Sequence, residues 1–360
     1  MNLYSNELYM DDLRYVCSAS LPWEKMRNKS IMLSGATGLI GSVFIDVLCE
    51  KNASDNLNCM VYALVRNQQK ARKRFSKYIS NKSLLFIPYD VKFPLTCDNL
   101  GKIDFVLHLA SNTHPIQYST DPIGTITTNI IGLQNMLDFA VNHKATRFAF
   151  ASSNEIYGEN RGDAELFDEN YCGYINSNTM RAGYPESKRC GEALCQAYKV
   201  QKGLDIVVPR FTRSYGPSML MSDTKAVSQF IKKAVSGENI VLKSQGLQYY
   251  SYTYVFDAVY GLFTVLLKGE NGDAYNIADE SSDIMLKDLA KIIASLGQQK
   301  VIFEVPDDVE AAGYSKATKA RLDGSKIKSL GWSPKYDINN GIVRTIDILK
   351  NIGLEDEMNE

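Results

Sequence analysis

Ser30-Ile-Met-Leu-Ser-Gly35-Ala-Thr-Gly38-Leu-Ile-Gly41 is the stretch on which the fold turns. Its first five residues are a short apolar run that ends at glycine, and helical periodicity begins at Leu39 and continues to Glu50. Glycine between a strand and a helix lets the backbone approach a pyrophosphate, and the helix N-terminus offers aligned N–H donors to the anion. The spacing is GxxGxxG, not the GxGxxG of the simplest dinucleotide folds. A ligand-free tight turn would use the same glycines, but the strand–loop–helix context favours a cofactor. Gly35, Thr37, Gly38, Leu39, Ile40 and Gly41 are therefore candidate cofactor contacts.

Outward from this loop the chain keeps alternating. Strands are predicted at 59–65, 84–88, 105–109, 147–152 and 205–209, and helices at 123–141 and 184–201. Such alternation implies an α/β fold: a Rossmann-type, doubly wound parallel sheet with helices on both faces. After Pro209 the rhythm breaks up. The expected division is an extension at 1–28, a dinucleotide-binding domain at 29–209 and 244–274, and a smaller C-terminal α/β substrate lobe at 210–243 and 275–360. Within the extension, residues 6–16 read as a short helix and Leu21-Pro22-Trp23 as a docking turn, together a structural brace.

Composition removes several functions. Forty basic residues against forty-one acidic ones leave a formal charge of −1, so no basic excess argues for nucleic acid. The seven cysteines are odd in number with no CxxC, and only three histidines are present, which argues against a zinc site. Free thiols suit a reducing cytoplasm. No stretch reads as a signal peptide or as a membrane span.

The end of the second strand commonly carries an acid for the ribose 2′-hydroxyl. Here it carries Arg66, with Lys70 and Arg72 close behind. A guanidinium there favours a 2′-phosphate, so NAD and NADP both stay open; a solvated basic turn explains the same residues. Asp90 and Val91 follow the third strand, and Leu109, Ala110 and Ser111 the fourth, where the chain should pass the dinucleotide. His108 reads as a structural histidine.

Tyr184-Pro-Glu-Ser-Lys188 places a phenol and an ammonium one helical turn apart on one face. A nearby ammonium stabilises phenolate, drawing the tyrosine towards a pKa useful for acid–base work. YxxxK alone is common. It gains weight from Ser152-Ser153 at the end of the fifth strand, where a serine can hydrogen-bond the hydroxyl that the tyrosine deprotonates.

Together these features resemble the extended short-chain dehydrogenase/reductase family of NAD-dependent epimerases and dehydratases. The resemblance runs from Lys29 onward and includes Asp257 and Leu330-Gly-Trp-Ser-Pro334. It implies Ser153, Tyr184 and Lys188 as the catalytic triad beside a tightly bound NAD or NADP. It also implies transient oxidation of a nucleotide-sugar, usually at C4, and a homodimer built on the helices at 123–141 and 184–201. Within the family, Ser152-Ser-Asn-Glu155 disfavours glucose-type 4,6-dehydratases, which carry Asp-Glu where this chain has Asn154-Glu155.

The stretches Gly173-Tyr-Ile-Asn176-Ser-Asn-Thr-Met-Arg181-Ala-Gly-Tyr184-Pro-Glu-Ser-Lys188-Arg189 and Tyr215–Asp223 look like UDP-glucuronate decarboxylases (UDP-xylose synthases). That likeness implies a catalytic role for Glu155 and substrate contacts from Asn112, Asn176, Arg181, Arg213, Gln248 and Tyr250. The chain departs from the pattern at three places: Tyr250 and Ser218 stand where those enzymes have arginine, and Arg213 where they have asparagine. Two cations are lost and one gained, so the substrate or its pose is expected to differ from UDP-glucuronate. An epimerase on another nucleotide-sugar is the main alternative. A dehydratase, a ketoreductase that releases its cofactor, and a non-catalytic NAD(P)-binding protein are the others.

Overall fold

The computed structural model describes residues 2–97, 100–306, 308, 311, 314 and 318–354. Residue 1 of the expected extension and parts of the expected 275–360 segment lie outside the described residues.

Strand β1 (Ser30–Ser34) is buried at every position. Ile31 and Leu33 pack into the core with Val43, Phe44 and Val47 of helix α2 (Leu39–Asp55), whereas Met32 packs with Leu133 and Met136 of helix α3 (Pro122–Asn142). Both faces of the strand are covered, which is why it reads as a continuous apolar run and not as an alternating one. Strands β2 (Met60–Val65), β3 (Leu84–Pro88), β4 (Phe105–His108), β5 (Arg147–Phe150), β7 (Ile206–Phe211) and β10 (Ala274–Ile277) complete an all-parallel sheet in the order β3-β2-β1-β4-β5-β7-β10. The order reverses between β1 and β4. Ligands of open α/β sheets bind in the crevice beyond the strand ends at such a point.

The fifth strand is broken. It pauses at Ala151 and resumes as β6 (Ser152–Ser153), which pairs with β7. Pairing of β7 with this edge stops at Val207 and restarts at Arg210, so Pro209 lies in the gap, where no ladder bond is required of its nitrogen. That is why Pro209 does not end the strand, as the sequence suggested, and why β7 runs on to Phe211. Ser153, at the end of β6, lines the crevice.

The expected domain boundaries shift accordingly. Strand β9 (Tyr249–Tyr254) does not join the large sheet; it pairs with β8 (Arg213–Tyr215), β11 (Asp283–Met285) and β12 (Lys319–Ala320) in the small one. Residues 274–277, straddling the expected boundary, form the last strand of the large sheet. Alternation along the chain says that a strand is present but not which sheet it enters.

Helix α1 (Glu7–Cys17) lies against α2, against helix α5 (Val255–Lys268) and against helix α6 (Ile338–Ile352). Its fully buried Asp12 accepts hydrogen bonds from Tyr254 (2.7 Å), Tyr336 and Arg344 Nε (2.9 Å). Tyr15 donates to Asp257 Oδ1 at 2.7 Å, and Asp257 also accepts the Lys335 and Tyr336 N–H groups. Burial pushes Asp257 up to about 6 despite those bonds. The first helix is thus pinned by buried charge to both parts of the molecule.

Candidate active site

A cavity of about 960 Å³ opens at the crevice between the sheet and the small lobe. On the sheet side it begins with the glycine loop. Gly35 has φ +73°, and a Cβ there would lie 2.7 Å from the Leu109 carbonyl carbon; a Cβ on Gly41 would collide with the Gly35 carbonyl oxygen. Gly38 is the N-cap of α2 and offers no side-chain cap, so the first N–H groups of the helix stay open to a ligand. A close-packed backbone cradle at an uncapped helix start fits a dinucleotide pyrophosphate. Thr37, Leu39, Ile40, Arg66, Asp90, Val91, Leu109, Ala110 and Ser111 line the same cavity.

Helix α4 (Gly183–Lys202) carries the expected pair at its start. Tyr184 is buried and stacks on Tyr118, with ring centroids 4.9 Å apart. Lys188 Nζ donates to the Ala151 carbonyl (2.8 Å) at the break between β5 and β6, and sits 6.0 Å from the Tyr184 ring centre. Ser153 Oγ accepts the Glu155 N–H at 3.2 Å, which holds the turn that aims Glu155. The strand break, the turn and the helix start converge on one wall.

Electrostatically the site differs from the expected simple pull of lysine on tyrosine. Burial, with the Glu155 charge adding to it, pushes Tyr184 up to about 12, while hydrogen bonding to Ser153 and Ser111 and the Arg181 charge pull the other way. Burial also draws Lys188 down to about 7. Neighbouring His108 falls to about 3 through burial and the nearby Lys188, and its Nδ1 lies 2.9 Å from Ser34 Oγ. Burial, not the lysine, dominates the tyrosine.

Arg181 grips Glu155, with Nη2 at 2.8 and 2.6 Å from the two carboxylate oxygens, and its guanidinium lies 4.7 Å from the centre of the Tyr118 ring. Asn112, Arg213, Gln248 and Tyr250 also line the cavity. Asn176 does not: it lies outside that lining, and its Oδ1 accepts the Asn178 N–H in a local turn. Ser218 donates to the Leu39 carbonyl at 3.1 Å and ties the small lobe to the start of α2.

Several participants escaped the sequence reading. Fully buried Asn129 links Ser111 (2.7 Å) to Ser187 (2.8 Å), which in turn bonds the Tyr184 carbonyl and so fixes the tyrosine's helix turn. His114 Nδ1 lies 3.2 Å from Asp223, joining the loop after β4 to the small lobe; although burial opposes it, that bond and Lys225 hold the carboxyl well below its usual range. Tyr118 supplies the platform between Arg181 and Tyr184. None of the three belongs to a spaced motif, and no signal in the sequence singled them out.

Residues 31–278 match the NAD dependent epimerase/dehydratase family. The chain belongs to that family. Among relatives, UDP-glucuronic acid decarboxylase 3 of Arabidopsis thaliana is 32% identical over 320 residues, covering 88% of this chain and 87% of the relative. UDP-glucuronic acid decarboxylase 1 of Xenopus tropicalis is 32% identical over 323 residues, covering 88% and 71%. The fold is shared with the UDP-glucuronic acid 4-epimerase of Bacillus cereus in complex with UDP-glucuronic acid and NAD (TM-score 0.77, 22% identity, 90% of this chain and 100% of that one). It is shared equally with DesIV, a dTDP-glucose 4,6-dehydratase of Streptomyces venezuelae with NAD and TYD bound (TM-score 0.77, 23% identity, 89% and 97%). Like the other members of this NAD-dependent epimerase/dehydratase family, the chain is an enzyme built around NAD.

Proposed function

We propose that this enzyme remodels the sugar of a nucleotide-sugar by transient oxidation at C4, in the manner of the UDP-glucuronic acid decarboxylases it resembles. The observation that carries the reading is the meeting of Ser153, Tyr184 and Lys188 with the glycine loop in one cavity. When bound, NAD supplies a reversible two-electron acceptor and, in its oxidised form, a positive charge in the cavity that Tyr184 and Lys188 line. The glycine loop, Asp90, Val91 and Leu109–Ser111 would hold it, and Arg66 leaves a 2′-phosphate to be tested beside it.

The protein's own work is proton handling. Ser153 Oγ orients the sugar hydroxyl, Tyr184 Oη takes its proton, and the Lys188 ammonium favours the phenolate that makes this possible. A C4 ketone turns a C6 carboxylate into a β-keto acid, which loses carbon dioxide, and it acidifies the C5 proton. Loss of carbon dioxide leaves an enolate that takes up a proton at C5, and the assignment of Glu155 to the handling of that proton is supported by its place in the cavity wall beside Arg181. Epimerisation is the second reading, favoured by Tyr250 and Ser218 at positions where the decarboxylases carry arginine. Incubation with UDP-glucuronate and other nucleotide-sugars, each with NAD and NADP, followed by mass spectrometry, separates them. Loss of carbon dioxide from UDP-glucuronate is the expected outcome; an isobaric product of shifted retention supports epimerisation, and no conversion of any sugar refutes both.

We further propose a homodimer and a cytoplasmic location. Helices α3 and α4 pack side by side, and α3 leaves Ile123 (75%) and Ile131 (44%) exposed, apolar positions suited to a second copy. Analytical ultracentrifugation should show a dimer that Ile131→Arg converts to monomer; a monomeric parent would refute the interface. Cys17, Cys49, Cys59, Cys172, Cys190 and Cys195 are free thiols, which suits a reducing compartment, and among the described residues no helix is long and apolar enough to cross a membrane.

A further inference from the structure

Arg213 enters the cavity from β8, two residues beyond Phe211, the partner of Ser153 in the sheet register. Its guanidinium carbon stands 3.4 Å from the centre of the Tyr250 ring, on the neighbouring strand β9. Its Nη1 is buried and has no hydrogen-bond partner among the described residues; the same holds for Oε1 of Gln248, which lines the same cavity. Three cations of the same wall are committed elsewhere: Arg181 to Glu155, Lys225 to Asp223 and Lys188 to the Ala151 carbonyl.

A buried N–H without an acceptor is costly, and an aromatic platform holds a guanidinium flat so that its donors point edge-on in one plane. Such a fork matches the two oxygens of a carboxylate or phosphate, which a lysine cannot do. We infer that Arg213, seated on Tyr250, is a clamp for an oxyanion of the substrate and a determinant of which nucleotide-sugar this enzyme accepts. Position 250 holds the ring and position 213 the charge, so the cation removed from β9 is replaced from β8, approaching from the Ser153 side of the cavity. The inference rests on the nucleotide-sugar reading, and the oxyanion is either the diphosphate or a uronate carboxylate.

Calorimetric titration of the NAD-loaded protein with UDP, UDP-glucose and UDP-glucuronate tests it without requiring turnover. Arg213→Ala should weaken binding by about 10- to 100-fold, as loss of a charge-assisted bidentate contact does, and Arg213→Lys should recover only part of that. An equal loss for all three probes places the clamp on the diphosphate; a loss confined to UDP-glucuronate places it on the carboxylate. Should Arg213→Ala fail to fold, Arg213→Gln carries the same expectation. Binding within twofold of the parent for every probe overturns the clamp and leaves the nucleotide-sugar reading standing. Failure of the parent itself to bind any probe overturns both, and is told apart because it precedes any substitution.

Discussion

Tyr184→Phe lowers turnover of the accepted nucleotide-sugar by about 10²–10⁴-fold, the range lost when a positioned proton acceptor is removed, and leaves NAD binding in place. The phenol is the side chain whose oxygen can meet a substrate hydroxyl beside Ser153, and its ring, stacked on Tyr118, is kept by phenylalanine. The substitution therefore removes the proton acceptor and little else. Activity within tenfold of the parent would dismiss Tyr184 from proton transfer and with it the mechanism. Lys188→Met should cost a similar factor for a different reason, and the two changes together should cost little more than either alone, because both act on the same proton.

The lysine also leaves a thermodynamic signature. Its folded-state pKa, near 7, lies below the ordinary value of 10.5. Below pH 7 the ammonium is buried at full cost, and the unfolded chain holds more protons only between about pH 7 and 10.5. Lys188→Met is therefore expected to be more stable than the parent by roughly 1–4 kcal/mol at neutral pH and below, with the advantage fading as pH rises through that window. An inactive variant that melts higher marks a site where function is kept at the expense of stability. A variant that melts lower at every pH would show that the bond to the Ala151 carbonyl outweighs the burial of charge.

The sheet was legible because buried parallel strands are short apolar runs followed by glycine loops and helices, and Ser30–Gly41 shows the run, the loop and the helix start together. The convergence of Tyr184 and Lys188 on one cavity was legible because both ride on a regular element, where fixed spacing means fixed direction: the two are one helical turn apart whatever else the chain does. Asn176 lies off the cavity wall for the converse reason. It lies in an irregular segment, where an asparagine side chain finds a nearby N–H before it finds a substrate. The sheet partners of β9 were hidden because strand alternation carries no label for the sheet a strand enters. His114, Asn129 and Tyr118 belong to contacts between distant segments, and neither composition nor spacing records those. Arg213 and Tyr250 could be flagged as departures from a pattern, but only the small sheet's register places one on the other.

Asp12→Ala is the substitution expected to cost most in stability, roughly 3 kcal/mol or more, because it strands buried partners and not merely a contact. Tyr254 and Tyr336 lose the acceptor of their hydroxyl protons, and the Arg344 guanidinium keeps the Leu8 carbonyl, the Tyr336 ring and a more distant Asp11 at 3.7 Å. Asp12→Asn keeps the shape and one acceptor oxygen but turns the other into an NH2 donor and removes the charge, so its loss should be smaller. Urea unfolding read by circular dichroism measures both. The consequence should reach the cavity. Tyr254 ends the strand that carries Tyr250, while Tyr336 and Arg344 belong to the C-terminal segment, so Asp12 fixes the small lobe against the sheet that holds the cofactor loop. Affinity for the nucleotide-sugar, which needs both walls, should therefore fall more than affinity for NAD, whose cradle is built from the large sheet alone. If stability falls while both affinities hold, the extension braces the fold without setting the width of the site; if substrate affinity falls first, the N-terminal helix is part of how this enzyme keeps its two walls in register.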